Sequence, residues 1–391
     1  LEADEVVATF VAGWALGDHG LNYDVLSRDS SLREGLERDE WIARRRAWAD
    51  EAHPTRFELG FIREREASAP ALWLPPTFGS KSTASRKEVE IGWALELSDT
   101  PLSGTLNEMP MGTAVYKETG RHWFWTSYTL VQEDDVWRIQ KMTDEGANAQ
   151  SLSVAELQQR IKELDGRTNE FLQIQRPTRE DAQEVAWRII KTIHYNDALI
   201  VHLPLDRTFS GDAFQRAMGL GLTERALVYL ERLANNYAEQ RGAVLRQMGV
   251  AQDALGDYYL ERGMHERAQH FATLAIATLR EALTHEETTA THAVLAEMLM
   301  RQGGDLDEAE THLNRAKEMA ASKAEEATIE MDLGNIAAER KQYMEALRHY
   351  LQVADIEPNF EYIWFKIGIA YRNLKQPEDA KASFEPVSYT H

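Results

Sequence analysis

Two consecutive stretches near the end of the chain are ATIEMDLGNIAAERKQYMEALRHYLQVADIEPNF (Ala327–Phe360) and EYIWFKIGIAYRNLKQPEDAKASFEPV (Glu361–Val387). They align at a shift of 34 residues: Leu333-Gly334 falls on Ile367-Gly368, Ala337 on Tyr371, Ala346 on Ala380, Tyr350 on Phe384 and Val353 on Val387. A period of this length is the mark of stacked helix–turn–helix units that bury a continuous core between neighbours. The small-alanine position continues upstream through Ala309, Ala268 and Ala226, with intervals from Ala226 to Ala380 of 42, 41, 37 and 34 residues. Leu255-Gly256, Tyr259, Gly263 and Ala268 restate the pattern, and Gly303-Gly304 suggests a one-residue insertion in the following unit. Pro386 interrupts the last expected helix shortly before the chain stops at His391, where a solenoid ordinarily carries a polar capping helix.

Trp364, Ile367-Gly368, Tyr371, Ala380 and Phe384, with Pro358 closing the preceding unit, resemble the tetratricopeptide (TPR) signature. The resemblance implies an all-α solenoid over residues 207–391 that binds an unidentified protein or peptide in a concave groove. Counted along the repeat, groove-facing positions are Asp253, Asp257, Met331, Asp332, Asn335, Tyr362, Phe365, Lys366, Ile369 and Asn373. TPR domains that clamp the terminal carboxylate of heat-shock chaperones place lysines, an arginine and asparagines at such positions. Aspartates take most of those places here and repel a carboxylate, so a neutral or basic peptide is expected. The alternative is a solvated groove with no ligand.

Further towards the N-terminus the periodicity changes twice. Val6, Val7, Phe10, Val11 and Trp14 predict an amphipathic helix over 3–16, ended by Gly17-Asp18. A short helical turn at 21–27 and a third helix over 36–52 follow, the latter stopped by His53-Pro54. Alternation of period two then sets in, at Phe57, Leu59 and Phe61 and again at Val89, Ile91, Trp93, Leu95 and Leu97. A long loop over 66–85, with Pro70, Pro75, Pro76 and Gly79, carries Trp73 and Phe78 between them. Hairpins are expected at Thr119-Gly120 and at Glu133–Asp135. Helices first and an antiparallel sheet afterwards describe an α+β domain over residues 1–146.

This order, with Trp14-Ala15-Leu16-Gly17-Asp18 early and Trp137-Arg138-Ile139 in the last strand, resembles the NTF2-like (SnoaL-type) α+β cone over about residues 3–145. That family spans isomerases, dehydratases, ligand-binding modules and dimerisation domains, so the fold leaves the function open. Alternation places Trp137, Ile139, Leu130, Tyr128, Phe124 and His122, with Met111, Thr113 and Val115, on the face that meets the helices. Trp14, Tyr23, His122, Phe124 and Tyr128 are then expected to line a ligand cavity, with His122 as candidate acid–base group; a hydrogen-bonded core histidine is the bland alternative. The opposite face carries Tyr116, Trp123 and Trp125, aromatics that need a cover. Two covers are open: a second copy of the chain, giving a homodimer, or the TPR half. Small polar residues at 143–150 mark a boundary, and 147–206 read as a helical connector in which Pro177 precedes an N-capping Thr178 and Pro204 breaks an apolar run.

Composition sets further bounds. A formal charge of −21 over 391 residues argues against nucleic-acid binding. The absence of cysteine excludes disulfides, iron–sulfur clusters and Cys-ligated zinc, and fits a cytoplasmic protein. No apolar run reaches the roughly 20 residues of a membrane helix, and the chain opens at Leu1 with no visible leader. His265 and His270 are five residues apart, one too many for the zinc-protease helix motif, and His285 and His292 share a face only if one helix spans both. No metal and no cofactor is expected. Arg44-Arg45-Arg46, flanked by Trp41 and Trp48, reads as a solvated face whose stems cover apolar surface. The sequence thus predicts a non-enzymatic scaffold, an NTF2-like domain for assembly or ligand holding joined to a TPR arm. The rival is an isomerase- or dehydratase-like or small-molecule-binding cone targeted by that arm. A carboxylate or second histidine bonded to His122 in a closed pocket would favour the rival, and a cavity filled by Trp and Phe the scaffold.

Overall fold

The computed structural model describes residues 1–65, 86–98, 106, 108–172, 178–360 and 362–384. The loop expected at 66–85 with Trp73 and Phe78, the break at Pro177, and the positions of Glu361, Pro386, Val387 and His391 lie outside them. The chain forms two compact units, Leu1–Tyr229 and Leu230–His391.

The first unit opens with helices α1 (Ala3–Leu16), α2 (His19–Asp24) and α3 (Arg38–Ala52). A capping box between Glu2 and Glu5 starts α1, and Gly17 ends it in the left-handed region at φ 71°. Strands β1 (Thr55–Arg65), β2 (Arg86–Glu96), β3 (Ala114–Tyr116), β4 (Arg121–Glu133) and β5 (Val136–Asp144) follow. They form one antiparallel sheet in which β2 pairs β1 and β4, while the other edge of β4 takes β3 and then β5. The β4–β5 turn is made by Asp134 and Asp135, both at positive φ, as a tight hairpin requires. Helices α4 (Glu145–Gln150), α5 (Val154–Leu172), α6 (Arg179–His202), α7 (Arg207–Gly219) and α8 (Thr223–Asn236) complete the order, and α6 begins at a Thr178–Asp181 capping box.

The inner face of the sheet packs on α1–α3. Its core comprises Val6, Phe10, Trp14, Trp41, Trp48, Ile91, Trp93, Phe124, Tyr128, Leu130 and Ile139, all at most 4% exposed. Burying a side chain of this size contributes on the order of 1.5–3 kcal/mol.

Within the first unit, α4–α6 pack on the outer face around Trp125, and Arg225 of α8, inside the residues 207–391 read as repeats, packs on Trp123. Trp125, 2% exposed, lies edge-on to Tyr195 at 5.1 Å and stacks on His194 at 5.4 Å. Phe61, Ala149, Leu157, Ala198 and Leu199 join it in one cluster. Residues 147–172 and 178–206, expected as a connector, lie within the first unit. Tyr116 is fully buried, and the Arg225 guanidinium lies over the Trp123 ring at 4.7 Å.

Two strand assignments also change. A register shift between Leu59 and Phe61 turns Phe61 to the outer face while Phe57 and Ile62 pack inside, because one extra residue reverses the alternation. Gly92 makes room for it, since a Cβ there would lie 2.5 Å from the Phe61 ring. Met111 and Thr113, expected inside, precede the short β3. Met111 is 52% exposed, and the Thr113 hydroxyl lies 3.0 Å from His194 Nδ1 on α6.

A buried carboxylate ties the layers together. Glu90 on β2, 1% exposed, accepts from Trp125 Nε1 at 2.7 Å and pairs with Arg65 at 3.1 Å and with Lys191 of α6 at 3.1 Å. Burial raises its pKa, but Lys191 and Arg65 outweigh this and hold it below the usual carboxylate range.

The second unit consists of helix hairpins α9 (Arg241–Glu261)/α10 (His265–His285), α11 (Thr289–Arg301)/α12 (Leu306–Met319), α13 (Lys323–Glu339)/α14 (Tyr343–Ile356) and α15 (Ile363–Asn373)/α16 (Pro377–Phe384). Each turn has one residue at positive φ, namely Gly263, Gly303, Lys341 and Lys375. The next residue's N–H bonds back five positions, to the carbonyls of Tyr259, Leu299, Ala337 and Tyr371. This is the Schellman closure, repeated four times. The alanines that carry the repeat (Ala268, Ala309, Ala346 and Ala380) are at most 8% exposed. Gly334 and Gly368 explain the Gly–aromatic pairing across the 34-residue shift. A Cβ would stand 2.5 Å from the Tyr350 ring at the first and 2.4 Å from the Phe384 ring at the second.

Glu90→Ala leaves Arg65, Lys191 and Trp125 Nε1 short of their shared acceptor and is expected to lower stability by about 3–5 kcal/mol, read as the urea midpoint of the full chain. Lys341→Gly relieves a left-handed lysine and should stabilise by up to about 1 kcal/mol, measured the same way.

Candidate functional site

A cleft of about 850 Å³ in the second unit lies between α11, α13, α14 and α15. Met331, Asp332, Asn335, Lys366, Ile369 and Asn373 line it, six of the ten groove positions read from the repeat. Met331, Asp332 and Asn335 share one face of α13, and Lys366, Ile369 and Asn373 share one face of α15 at helical spacing. Met300, Tyr343, Tyr350 and Phe360 add apolar surface that the repeat count did not include, and Glu297, Arg301 and Glu339 add charge.

Asn335 organises the polar floor. Its Oδ1 accepts from Tyr350 Oη at 3.1 Å and from Lys366 Nζ at 3.0 Å, which turns Nδ2 towards Asp332 Oδ1 at 3.4 Å. Burial, reinforced by the nearby Glu297 carboxylate, raises the Asp332 pKa to about 6. No salt bridge to Glu297, Asp332 or Glu339 occurs among the described residues.

The other four groove positions fall elsewhere. Asp253 and Asp257 both pair with Arg301, the latter at 3.1 Å, so part of their charge is met within the chain. Tyr362 is 66% exposed at the N-cap of α15, and Phe365 lies 5.9 Å from the Phe384 ring. The pairing of Arg301 with aspartates more than 40 residues upstream has no signal in local periodicity.

In the first unit, the positions assigned to a ligand cavity are packed core. Trp14, Phe124 and Tyr128 are fully buried, and Tyr23 donates its hydroxyl to Leu36 O at 3.3 Å. Phe124 stacks on Trp93 at 4.3 Å, which fills the space beside His122 with rings. His122 Nδ1 lies 2.9 Å from Gly120 O, and burial lowers its pKa. Among the described residues no carboxylate and no second histidine bonds to it. Arg45 reverses the solvated reading of the Arg44–Arg46 run: it is 0% exposed. Among the described residues there is no cluster of three or more His, Asp or Glu able to hold a metal, and no helix long and apolar enough to cross a membrane.

Residues 362–385 match the family model of the tetratricopeptide repeat. The C-terminal region therefore carries a TPR repeat within a helical array. No curated protein matches the chain. Among solved structures, it is similar to MamA 41-end from Desulfovibrio magneticus RS-1, at 18% identity and TM-score 0.40 over 47% of this chain and 93% of that one. It is also similar to YrrB, described as a TPR protein with an unusual peptide-binding site (16% identity, TM-score 0.37, 49% and 89%). A third is a thermophilic TPR protein of Thermus thermophilus (18%, 0.35, 48% and 92%).

The raised Asp332 pKa has a defined effect on stability. Between its unfolded value near 3.8 and about 6 the folded state holds the proton more tightly, so stability falls as pH rises through that window. Above it the full cost of the buried charge remains. Asp332→Asn should therefore stabilise the chain by roughly 1–2 kcal/mol at pH 8 and by nothing at pH 4, compared by urea unfolding at the two values.

Proposed function

We propose that this protein is a non-enzymatic scaffold whose TPR array binds a basic segment of a partner protein in the α11–α15 cleft. The observation that carries the reading is the cleft's composition: three carboxylates without a salt bridge among the described residues, Glu297, Asp332 and Glu339, beside Met300, Met331, Ile369, Tyr343 and Phe360. Lysine or arginine side chains would answer the carboxylates, and their stems or neighbouring apolar residues would cover the floor. Lys366, held by Asn335, is available to a backbone carbonyl of the bound segment. Asp253 and Asp257 act through Arg301, as a structural pair at one side of the groove, rather than as ligand contacts.

The first unit is in this reading an NTF2-like cone with a filled interior, which serves assembly. Its helix-then-sheet order and the packing of α1–α3 on one face support that assignment. The scaffold acts in the cytoplasm, without nucleic acid, cofactor or membrane insertion. Trp125, being covered by α6, leaves any homodimer to other surfaces.

The test is fluorescence anisotropy of the full chain with labelled 12-residue peptides that alternate Lys or Arg with Leu, against counterparts carrying Glu for the basic residues. The basic series should bind and weaken at least about tenfold in Glu297→Lys/Glu339→Lys, a loss of about 1.4 kcal/mol. Affinity should also rise from pH 5 to pH 7 as Asp332 ionises. Equal binding of acidic and basic peptides, or indifference to the double substitution, would overturn the proposal.

A further inference from the structure

Strand β1 is one edge of the sheet and pairs with β2 on one side only. Among the described residues, no backbone N–H or carbonyl of Leu59–Arg63 bonds to any group on the other side. Such an edge is a ready template for a further strand, and folds commonly spoil it with a bulge, a covering element or a charge. The register shift between Leu59 and Phe61 spoils only the first part of it. From Phe61 to Arg65 the ladder is regular, running from the Phe61–Gly92 pair to Arg65–Glu88. Arg63, the charge that could guard this part, is drawn aside to α6. It pairs with Glu184 at 2.6 Å and lies over the Trp187 ring at 4.0 Å.

Beside the edge lies a cleft of about 600 Å³. The consecutive strand residues Leu59–Arg63 line it, with Asp4 of α1 on one side and Glu180, Gln183, Glu184 and Trp187 of α6 on the other. At about 3.4 Å per residue this stretch is about 17 Å long, room for one extended segment of about five residues. Leu59, 42% exposed, and the half-buried Ile62 offer apolar surface along it. The helix walls argue against a second copy of the chain as the occupant. A second copy brings its own α1 and α6 beside its own β1, so two such edges meet wall to wall before their backbones come within the roughly 5 Å that strand pairing needs.

The walls are acidic on both sides. Glu184 is answered by Arg63 and Arg188, whereas Asp4 and Glu180 have no salt bridge among the described residues. Successive side chains of an added strand turn to opposite faces, so neighbouring residues of one segment reach both walls. We propose that β1 takes up an extended basic segment of a partner protein as an additional strand. Its backbone bonds to the edge at Leu59–Arg63, and its lysines or arginines stand against Asp4 on one side and Glu180 on the other. Main-chain pairing supplies the affinity, and the two carboxylates select a basic segment over an acidic one. The site belongs to the first unit and does not rest on the peptide cleft of the repeat array.

The experiment is hydrogen exchange and fluorescence anisotropy of the full chain with the labelled peptide Lys-Lys-Val-Thr-Ile-Val-Lys-Lys. Glu297→Lys/Glu339→Lys serves as the host, so that binding in the repeat cleft is suppressed and the two proposals fail separately. The peptide should slow exchange of the β1 amides at Leu59–Arg63 and leave those of α11–α15 unchanged. N-methylation of the Val-Thr-Ile-Val core removes the strand-forming donors without altering charge and should weaken binding at least about tenfold. Asp4→Asn/Glu180→Gln should weaken it about threefold in dilute buffer, since exposed charge pairs are worth little each. A peptide with Glu for Lys should not bind. Absence of protection at β1, full binding by the N-methylated or the acidic peptide, or indifference to the Asp4 and Glu180 substitutions would each overturn the proposal. So would a dimer by light scattering whose β1 amides are already protected without peptide, because a second copy then holds the edge.

Discussion

The first unit depends on the meeting of Glu90, Arg65, Lys191 and Trp125. A carboxylate at 1% exposure is tolerable only if its lone pairs are met, and here one strand neighbour, one helix lysine and one indole meet them. The arrangement works in both directions. Lys191, itself depressed by burial, is kept on α6 in the one register that reaches Glu90. That register brings Tyr195 and His194 of the same helix against Trp125. The same group of charges extends through Arg65 to Glu145 at the start of α4, whose carboxylate also takes the Ser127 hydroxyl at 2.6 Å. Polar pairing thus fixes how the outer helices lie on the sheet, and the apolar contacts follow from it.

Charge pairing also decides which aspartates of the repeat array are available. Asp253 and Asp257 sit one helical turn apart on α9 and share Arg301, which offsets part of their charge. Asp332, two hairpins further on α13, has no such partner among the described residues and is raised towards neutrality instead. Two outcomes, pairing and a raised pKa, are alternative answers to the same desolvation. The second leaves a site that gains most from an incoming cation, because that cation supplies what the fold has withheld.

Much of this was legible in the chain where one local rule sufficed. The 34-residue shift aligned Gly334 with Gly368 and Tyr350 with Phe384, and each glycine lies against the ring of its own hairpin. The β4–β5 hairpin at Asp134-Asp135 and the Thr178 cap were equally local. Six of the positions counted along the helical faces line one cleft. What failed were statements about partners far away in sequence. An amphipathic pattern says that α6 covers something, but not that it covers Trp125, 70 residues upstream. The register shift at Leu59–Phe61 reversed a strand because alternation carries no memory across an inserted residue.

Arg45 shows the same limit at a single side chain. Three consecutive arginines on a helix cannot all face water, since successive positions turn by about a quarter of the circle or more and one must point inwards when Trp41 and Trp48 do. Arg45 lies four after Trp41 and three before Trp48, which puts it on their face. The spacing that placed the tryptophans in the core had therefore already placed the arginine there. Composition obscured it, because a basic run is ordinarily solvated.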